Sequence, residues 1–185
     1  SWNNKHINLI DTPGYADFRG EVSSALKMVE GALLLIDGTT GIEVNTNYVW
    51  SMAEDNDLSR FILINKIDQE GSKFSEVMDE LNSNFDDTLL PVSIQCGEGE
   101  NFEGVIDILE EKLIKGEEKV DIPEDLKGKV EDYRFEFIEE IVELDDELMM
   151  KYLEDDEITD SELKSALING VVEKQVVPVF TGSAI

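Results

Sequence analysis

The sequence has few of the residues that form disulfides, multi-histidine metal sites and histidine-dependent catalytic triads. Its 185 residues include one cysteine, Cys96, and one histidine, His6. A single cysteine excludes a disulfide framework within the chain, and a single histidine excludes a site built from several histidines. With no Cys or His nearby in the sequence, Cys96 is expected to be a small buried hydrophobe, and His6 is expected to be structural.

Long apolar runs and basic residues are also scarce. The longest strongly apolar stretch, 32–36, has the length of a buried strand, so we expect no membrane partner. The net charge is −28, and residues 89–185 contribute −18 of it, from 27 acidic and 9 basic residues. Such a surface repels phosphate backbones, so direct non-specific nucleic-acid binding is not expected. The acidic surface serves solubility or favours a basic protein partner, and the cysteine content suits the cytoplasm.

Strands alternate with helices in the first half of the sequence, which is typical of parallel β-α-β units. The apolar runs 6–10, 32–36 and 61–64 predict strands, and the unbroken run 32–36 predicts a strand covered on both faces. Apolar residues at helical spacing predict helices over 18–29, 45–54 and 74–84.

The second half has a different pattern, with short strand candidates and acidic helices. We predict a small, mostly antiparallel sheet and three helices, followed by a last strand. The strand candidates are 90–94, 105–109, 112–114 and 119–122; the helices are 123–144, 145–153 and 159–173; the last strand is 176–181. The expected fold class is α/β, with a mostly parallel sheet in the first half and a composition break near Leu89.

The strongest local motif is Asn65-Lys66-Ile67-Asp68, directly after an apolar strand. In α/β sheets, ligands bind at the carboxyl ends of the strands. A guanine ring presents two adjacent N–H donors, and the Asp68 carboxylate can accept both in a bidentate pair, while the Lys66 stem can lie along the ring. The alternative is an ordinary polar loop at a strand end.

Two further motifs also follow predicted strands. In Asp11-Thr12-Pro13-Gly14, the carboxylate can hold a magnesium-bound water and the glycine N–H can approach a phosphate, although a plain Pro-Gly turn fits equally well. The small residues of 181–184 (Thr-Gly-Ser-Ala) allow a backbone N–H to reach a purine oxygen. This third motif is weak by itself, but the three occur in the order expected of a guanine-nucleotide domain.

Longer runs around these motifs resemble elongation factor G. They are HINLIDTPGYADFRGEVSSALKMV, DGTTGIEVNT, FILINKIDQEGSKF, ENFEGVIDILEEKLI, DELMMKYLEDDEIT and VVPVFTGSAI. The resemblance covers essentially the whole chain. It implies a P-loop-GTPase-like fold with a partial GTP-binding domain, a mostly parallel sheet in 1–89 and 174–185. It also implies an inserted α+β subdomain in 90–173, which smaller GTPases lack. Tetracycline-resistance ribosomal protection proteins and release factor 3 are relatives, but ENFEGVIDIL is more similar to elongation factor G.

The resemblance implies a set of site residues and partners. The ligands would be GTP or GDP with Mg²⁺, and the partner would be the ribosome, with its stalk protein contacted by the inserted subdomain. Asp11 and Gly14 would sense the γ-phosphate and, through water, the metal ion; Asp68 would recognise guanine. The full set of expected GTP-binding residues is Asp11, Thr12, Pro13, Gly14, Asn65, Lys66, Asp68, Ser183 and Ala184.

One departure from the family concerns catalysis. Elongation factor G has a histidine where this sequence has Tyr15, and tyrosine does not readily become cationic at neutral pH. Hydrolysis is therefore expected to be slower, or more dependent on a partner, than in elongation factor G. Some elongation-factor-G-like paralogues carry D-T-P-G-Y, so the resemblance favours a paralogue. Comparing the ribosome-stimulated turnover of the intact protein with that of its Tyr15→His variant tests this expectation. Equal rates would contradict it.

The other departure concerns the phosphate-binding loop. The pattern G-x-x-x-x-G-K-[S/T] does not occur in the sequence. The family has this loop, a first switch and a central strand upstream of Trp2, so the sequence is expected to be a piece that by itself neither binds GTP tightly nor hydrolyses it. Without that strand, the strands 6–10 and 32–36 would pair directly, pair with another chain, or be poorly ordered. The alternative functions are a non-hydrolysing ribosome-interaction module and a ribosomal protection factor.

Overall fold

A parallel sheet of four strands forms one half of the fold. The computed structural model describes residues 4–183, and within them the strand order of this sheet is β1-β2-β8-β3. Strand pairing is parallel throughout, as the alternation of strands and helices predicted. The strands are β1 (Gly31–Asp37), β2 (Ser59–Asn65), β3 (Leu89–Pro91) and β8 (Val177–Thr181).

Three helices belong to this half of the chain. They are α1 (Arg19–Leu26), preceded by a 3-10 turn at Ala16–Phe18, α2 (Val44–Asp55) and α3 (Phe74–Asn84). The predicted bounds of α3 are confirmed, because its apolar residues repeat at helical spacing and all face the core. Helix α1 ends three residues earlier than predicted, in a turn at Lys27 and Met28.

The predicted strand over 6–10 is wrong. Residues 6–14 have no regular secondary structure, and the side chains of Ile7, Leu9 and Ile10 are exposed, Leu9 by 90%. A strand needs a neighbour for its backbone hydrogen bonds, and no described strand lies beside this segment. Of the three arrangements expected for it, direct pairing with β1 does not occur among the described residues.

The prediction that 32–36 is covered on both faces is also wrong for the described residues. Ala32, Leu34 and Ile36 are buried, whereas Leu33 and Leu35 are 55% and 62% exposed. Successive strand residues point to opposite faces, so the described helices cover only one face of β1. The apolar run alone could not reveal this, because it is the same for a strand covered on one face or on two.

A second sheet of four antiparallel strands forms the other half, as predicted. Its order is β4-β5-β6-β7, and three helices follow it in the chain. The strands are β4 (Ser93–Cys96), β5 (Gly104–Asp107), β6 (Lys112–Lys115) and β7 (Glu118–Val120). The helices are α4 (Lys127–Val142), α5 (Asp146–Leu153) and α6 (Asp160–Val172), with 3-10 turns at Gly99–Asn101 and Glu124–Leu126. The sequence places Thr159 three residues before Glu162, which is the spacing of a capping box, and the two residues form one at the start of α6.

Two details of this half differ from the prediction. The predicted single strand 90–94 is two strands, because Leu89–Pro91 pairs with β8 in the parallel sheet and Ser93–Cys96 begins the antiparallel one. The chain changes sheets at Val92. On α4, the helical spacing of Phe135, Ile138, Ile141, Val142 and Leu144 predicts that these residues form the core face. Phe135 is exposed instead, and Phe137 is buried with Ile141, four residues on. The proposed domain boundary after residue 89 stays a prediction.

Candidate functional site

The carboxyl ends of three parallel strands bring the predicted base-binding residues to one edge of the sheet. In the strand register, Asp37 at the end of β1 lies beside Asn65 at the end of β2, and Ile64 lies beside Thr181 of β8. The loops that follow these strands therefore start side by side. This is the edge at which α/β sheets bind ligands.

Asp68 and Ser183 meet at this edge, although 115 residues separate them. The Ser183 hydroxyl donates a hydrogen bond to the Asp68 carboxylate. The backbone supports the contact, because the Gly182 N–H donates to the Ile64 carbonyl at 3.0 Å. Ile67 is fully buried and so fixes the loop on the core, while Asp68 beside it is half-buried. Ala184 lies outside the described residues.

Lys66 is held by a carboxylate that the sequence prediction missed. Its ammonium lies 2.6 Å from the Asp37 carboxylate, and its backbone has a positive φ of 59°. Burial raises the pKa of Asp37, but hydrogen bonds from Lys66 and Thr39 outweigh this and lower it to about 2. Contact with Asp37 raises the pKa of Lys66. The sequence contained a signal that could have identified Asp37, because it is a carboxylate at the end of a predicted strand, as Asp68 is a carboxylate shortly after one.

Gly38 follows Asp37 and allows the two strand ends to approach closely. Its N–H donates to the Asn65 carbonyl at 2.8 Å. A Cβ at Gly38 would lie 2.6 Å from the Ser72 hydroxyl oxygen and 3.0 Å from the Asn65 carbonyl oxygen. Only glycine fits here without moving Asn65, one of the predicted base-binding residues.

Replacing Asp37 with Asn should lower the free energy of unfolding at pH 7 by about 1 kcal/mol, since both partners of the ion pair are partly solvated. Because the folded pKa of Asp37 lies below its ordinary value of 3.8, the stabilisation is complete above that value and is lost as the pH falls towards about 2. Urea unfolding at pH 7 and pH 3 measures the difference. Asp86→Asn, at an exposed acid, is the matched control. The prediction would be contradicted if the difference in free energy of unfolding between Asp37→Asn and the unchanged protein were larger at pH 3 than at pH 7.

The Asp11-Thr12-Pro13-Gly14 segment is an exposed loop before α1. The side chain of Thr12 is half-buried, those of Asp11 and Pro13 are exposed, and Tyr15 is 78% exposed. The Gly14 carbonyl accepts a hydrogen bond from the Asn45 side chain of α2 at 2.9 Å. Within residues 4–183, no hydrogen bond or ion pair joins this loop to Asn65 or the residues after it. The structure therefore brings together the motifs that are predicted to bind the base, but not the Asp11–Gly14 motif that is predicted to sense phosphate.

No helix in residues 4–183 has both the length and the apolar character of a membrane span. No three His, Cys, Asp or Glu side chains of the same residues converge as metal ligands. Cys96 is buried, as predicted.

The chain is similar to a protein family and to proteins of known structure. Residues 1–185 match the family described as the elongation factor Tu GTP binding domain. The crystal structure of ttk003000868 from Thermus thermophilus is similar in fold, with a TM-score of 0.86 and 32% sequence identity over 94% of this chain. The chain covers 26% of the length of that protein. Neither match favours the alternative of a non-hydrolysing interaction module.

These matches confirm the resemblance read from the sequence motifs and the α/β fold with its inserted subdomain. The chain belongs to the elongation factor Tu GTP-binding domain family and is a translational GTPase G domain of the elongation factor G type.

Proposed function

We propose that the protein containing this chain is a ribosome-associated translation factor that recognises guanine through Asn65, Lys66, Asp68 and the segment at Ser183 and Ala184. The contact between Asp68 and Ser183 is the observation that supports this most directly. Two motifs far apart in the sequence meet through side chains at the edge where the fold binds ligands. If the residues after β2 were only an ordinary polar loop, the contact between Asp68 and Ser183 would have no explanation.

Asp68 has acceptor capacity left for a base. A carboxylate has about four lone-pair sites on two oxygens, and Ser183 uses one of them. The rest can accept the N1–H and the exocyclic amine of guanine. The serine bond also fixes the orientation of the carboxylate before the base arrives, which reduces the entropy lost on binding. Lys66, held at its ammonium by Asp37, can present its aliphatic stem to the ring.

The phosphate side of the site is proposed from the Asp11 loop. The Asp11 carboxylate is exposed and can hold a magnesium-bound water, since Mg²⁺ prefers oxygen ligands and keeps several of its waters. Magnesium would neutralise phosphate charge there. Gly14 has no side chain to obstruct the approach of its N–H to a phosphate oxygen, and no other atom lies within 4 Å of the position a Cβ would take. Tyr15 would stand where the family's catalytic histidine stands.

The inserted subdomain is proposed as the surface that contacts the ribosomal stalk protein. Most of the negative charge lies in residues 89–185, which favours a basic protein surface as partner and opposes direct contact with nucleic acid. A cytoplasmic location would follow from this role.

Competition binding tests the base-recognition proposal. In the full-length protein with magnesium, GTP and GDP should displace a fluorescent GTP analogue at micromolar concentrations, and ATP should be at least about a hundredfold weaker. Adenine lacks both donors that Asp68 would accept, so its binding would leave a half-buried carboxylate unpaired. Equal displacement by ATP would refute base recognition at Asp68. No displacement by GTP or GDP would refute the proposed function altogether.

A further inference from the structure

Helix α2 holds the segment from Gly14 to Arg19 at two points. The Asn45 side-chain amide donates to the Gly14 carbonyl at 2.9 Å, and the Arg19 guanidinium lies 4.1 Å from the centre of the Tyr48 ring. Asn45 and Tyr48 are three residues apart on the helix and so lie on the same face. One helix face therefore contacts both ends of the segment.

The helix is a firm support for these contacts. The Glu43 N–H donates to the Thr46 hydroxyl at 3.2 Å, which closes the first turn of α2. Further along, Trp50 and Ala53 are buried in the core. The segment itself has only a 3-10 turn at Ala16–Phe18 between the loop and α1. A weakly structured segment thus rests on a rigid element.

Two polar atoms at these contacts have no hydrogen-bond partner among the described residues. They are Oδ1 of Asn45 and Nε of Arg19, and both are buried. Leaving a buried polar atom unpaired is unfavourable. An apolar side chain at Asn45 would avoid that loss, so stability of the helix alone does not explain an amide there. The hydrogen bond to the Gly14 carbonyl explains why an amide is present at this position.

We propose that Asn45 and Tyr48 are positioning residues that clamp the segment from Gly14 to Arg19 and limit its mobility. The consequence for nucleotide binding rests on the proposed function, in which the Gly14 N–H approaches the γ-phosphate. The Gly14 carbonyl and N–H are joined through one Cα, so holding the carbonyl at α2 restricts the direction of the N–H. A clamped segment loses less conformational entropy when GTP binds, whereas GDP lacks the group that Gly14 would contact.

Limited trypsin cleavage at Arg19 in the nucleotide-free full-length protein tests the clamp. Arg19 must leave the Tyr48 ring to enter the protease, so Asn45→Ala and Tyr48→Leu should each speed cleavage there by about threefold to tenfold. Asn47→Ala, at an exposed neighbour on α2, and Tyr48→Phe, which keeps the ring, should match the unchanged protein. Cleavage at the buried Arg60 reports global unfolding and should not change.

The outcomes separate the clamp from the proposed function. Unchanged cleavage at Arg19 in both Asn45→Ala and Tyr48→Leu overturns the clamp, as does an equal rise in Asn47→Ala. In the same variants the dissociation constant for GTP should rise about threefold while that for GDP stays constant. Equal changes for both nucleotides overturn the link to the γ-phosphate. If the unchanged protein binds neither nucleotide, the proposed function fails, and cleavage at Arg19 still decides the clamp.

Discussion

Replacing Asp68 with Asn should weaken GTP binding by the full-length protein about a hundredfold and shift its preference towards xanthosine triphosphate. The substitution exchanges one acceptor oxygen for an NH₂ donor that would face the donors of guanine, and it removes the charge that strengthens the pair. Xanthine has an oxygen in place of the exocyclic amine, so the new donor gains a partner. Displacement of a fluorescent nucleotide by GTP and by xanthosine triphosphate measures both effects.

The matched control for this prediction is Asp55→Asn, at an exposed acid in α2. It makes the same chemical change away from the strand ends and should leave both affinities unchanged. The Asp68→Asn variant also loses the charge on the acceptor of the Ser183 bond, so its urea unfolding should be measured beside the binding. A folded variant that binds GTP as tightly as the unchanged protein would show that Asp68 does not recognise the base.

Replacing Arg60 with Ala should lower the free energy of unfolding by about 3 kcal/mol, the loss expected when one partner of a buried ion pair is removed. Arg60, on β2, is 7% exposed, and its guanidinium donates two hydrogen bonds to Asp87, at 2.6 and 3.0 Å. It also lies 4.6 Å from the centre of the Trp50 ring, which stacks on Phe85. Urea unfolding measures the loss.

Two comparisons isolate the buried pair as the cause. Lys27→Ala removes one positive charge from the same acidic chain, but at an exposed position, and should cost less than about 0.5 kcal/mol. The double variant Arg60→Met with Asp87→Leu should recover part of the loss, because it leaves no charge without a partner. A loss below about 1 kcal/mol in Arg60→Ala would contradict the structural importance of the pair.

The sequence by itself determined the parts of this protein that depend on local patterns. The bounds of α3 and the capping box at Thr159 both follow from side-chain period and short-range hydrogen bonds. The placement of Asp68 at a sheet edge follows in the same way, because the motif directly succeeds an apolar strand. These features need no knowledge of distant parts of the chain.

Only the tertiary structure decided the features that need a distant partner. The segment 6–10 has the sequence of a strand but no described neighbour to pair with, and the same apolar run leaves Leu33 and Leu35 exposed on an uncovered face. The contact between Asp68 and Ser183, the ion pair of Lys66 with Asp37, and the bond from Asn45 to Gly14 join residues 29 to 115 positions apart. Strand pairing, face coverage and side-chain contacts are properties of two segments together, and the sequence of either one does not contain them.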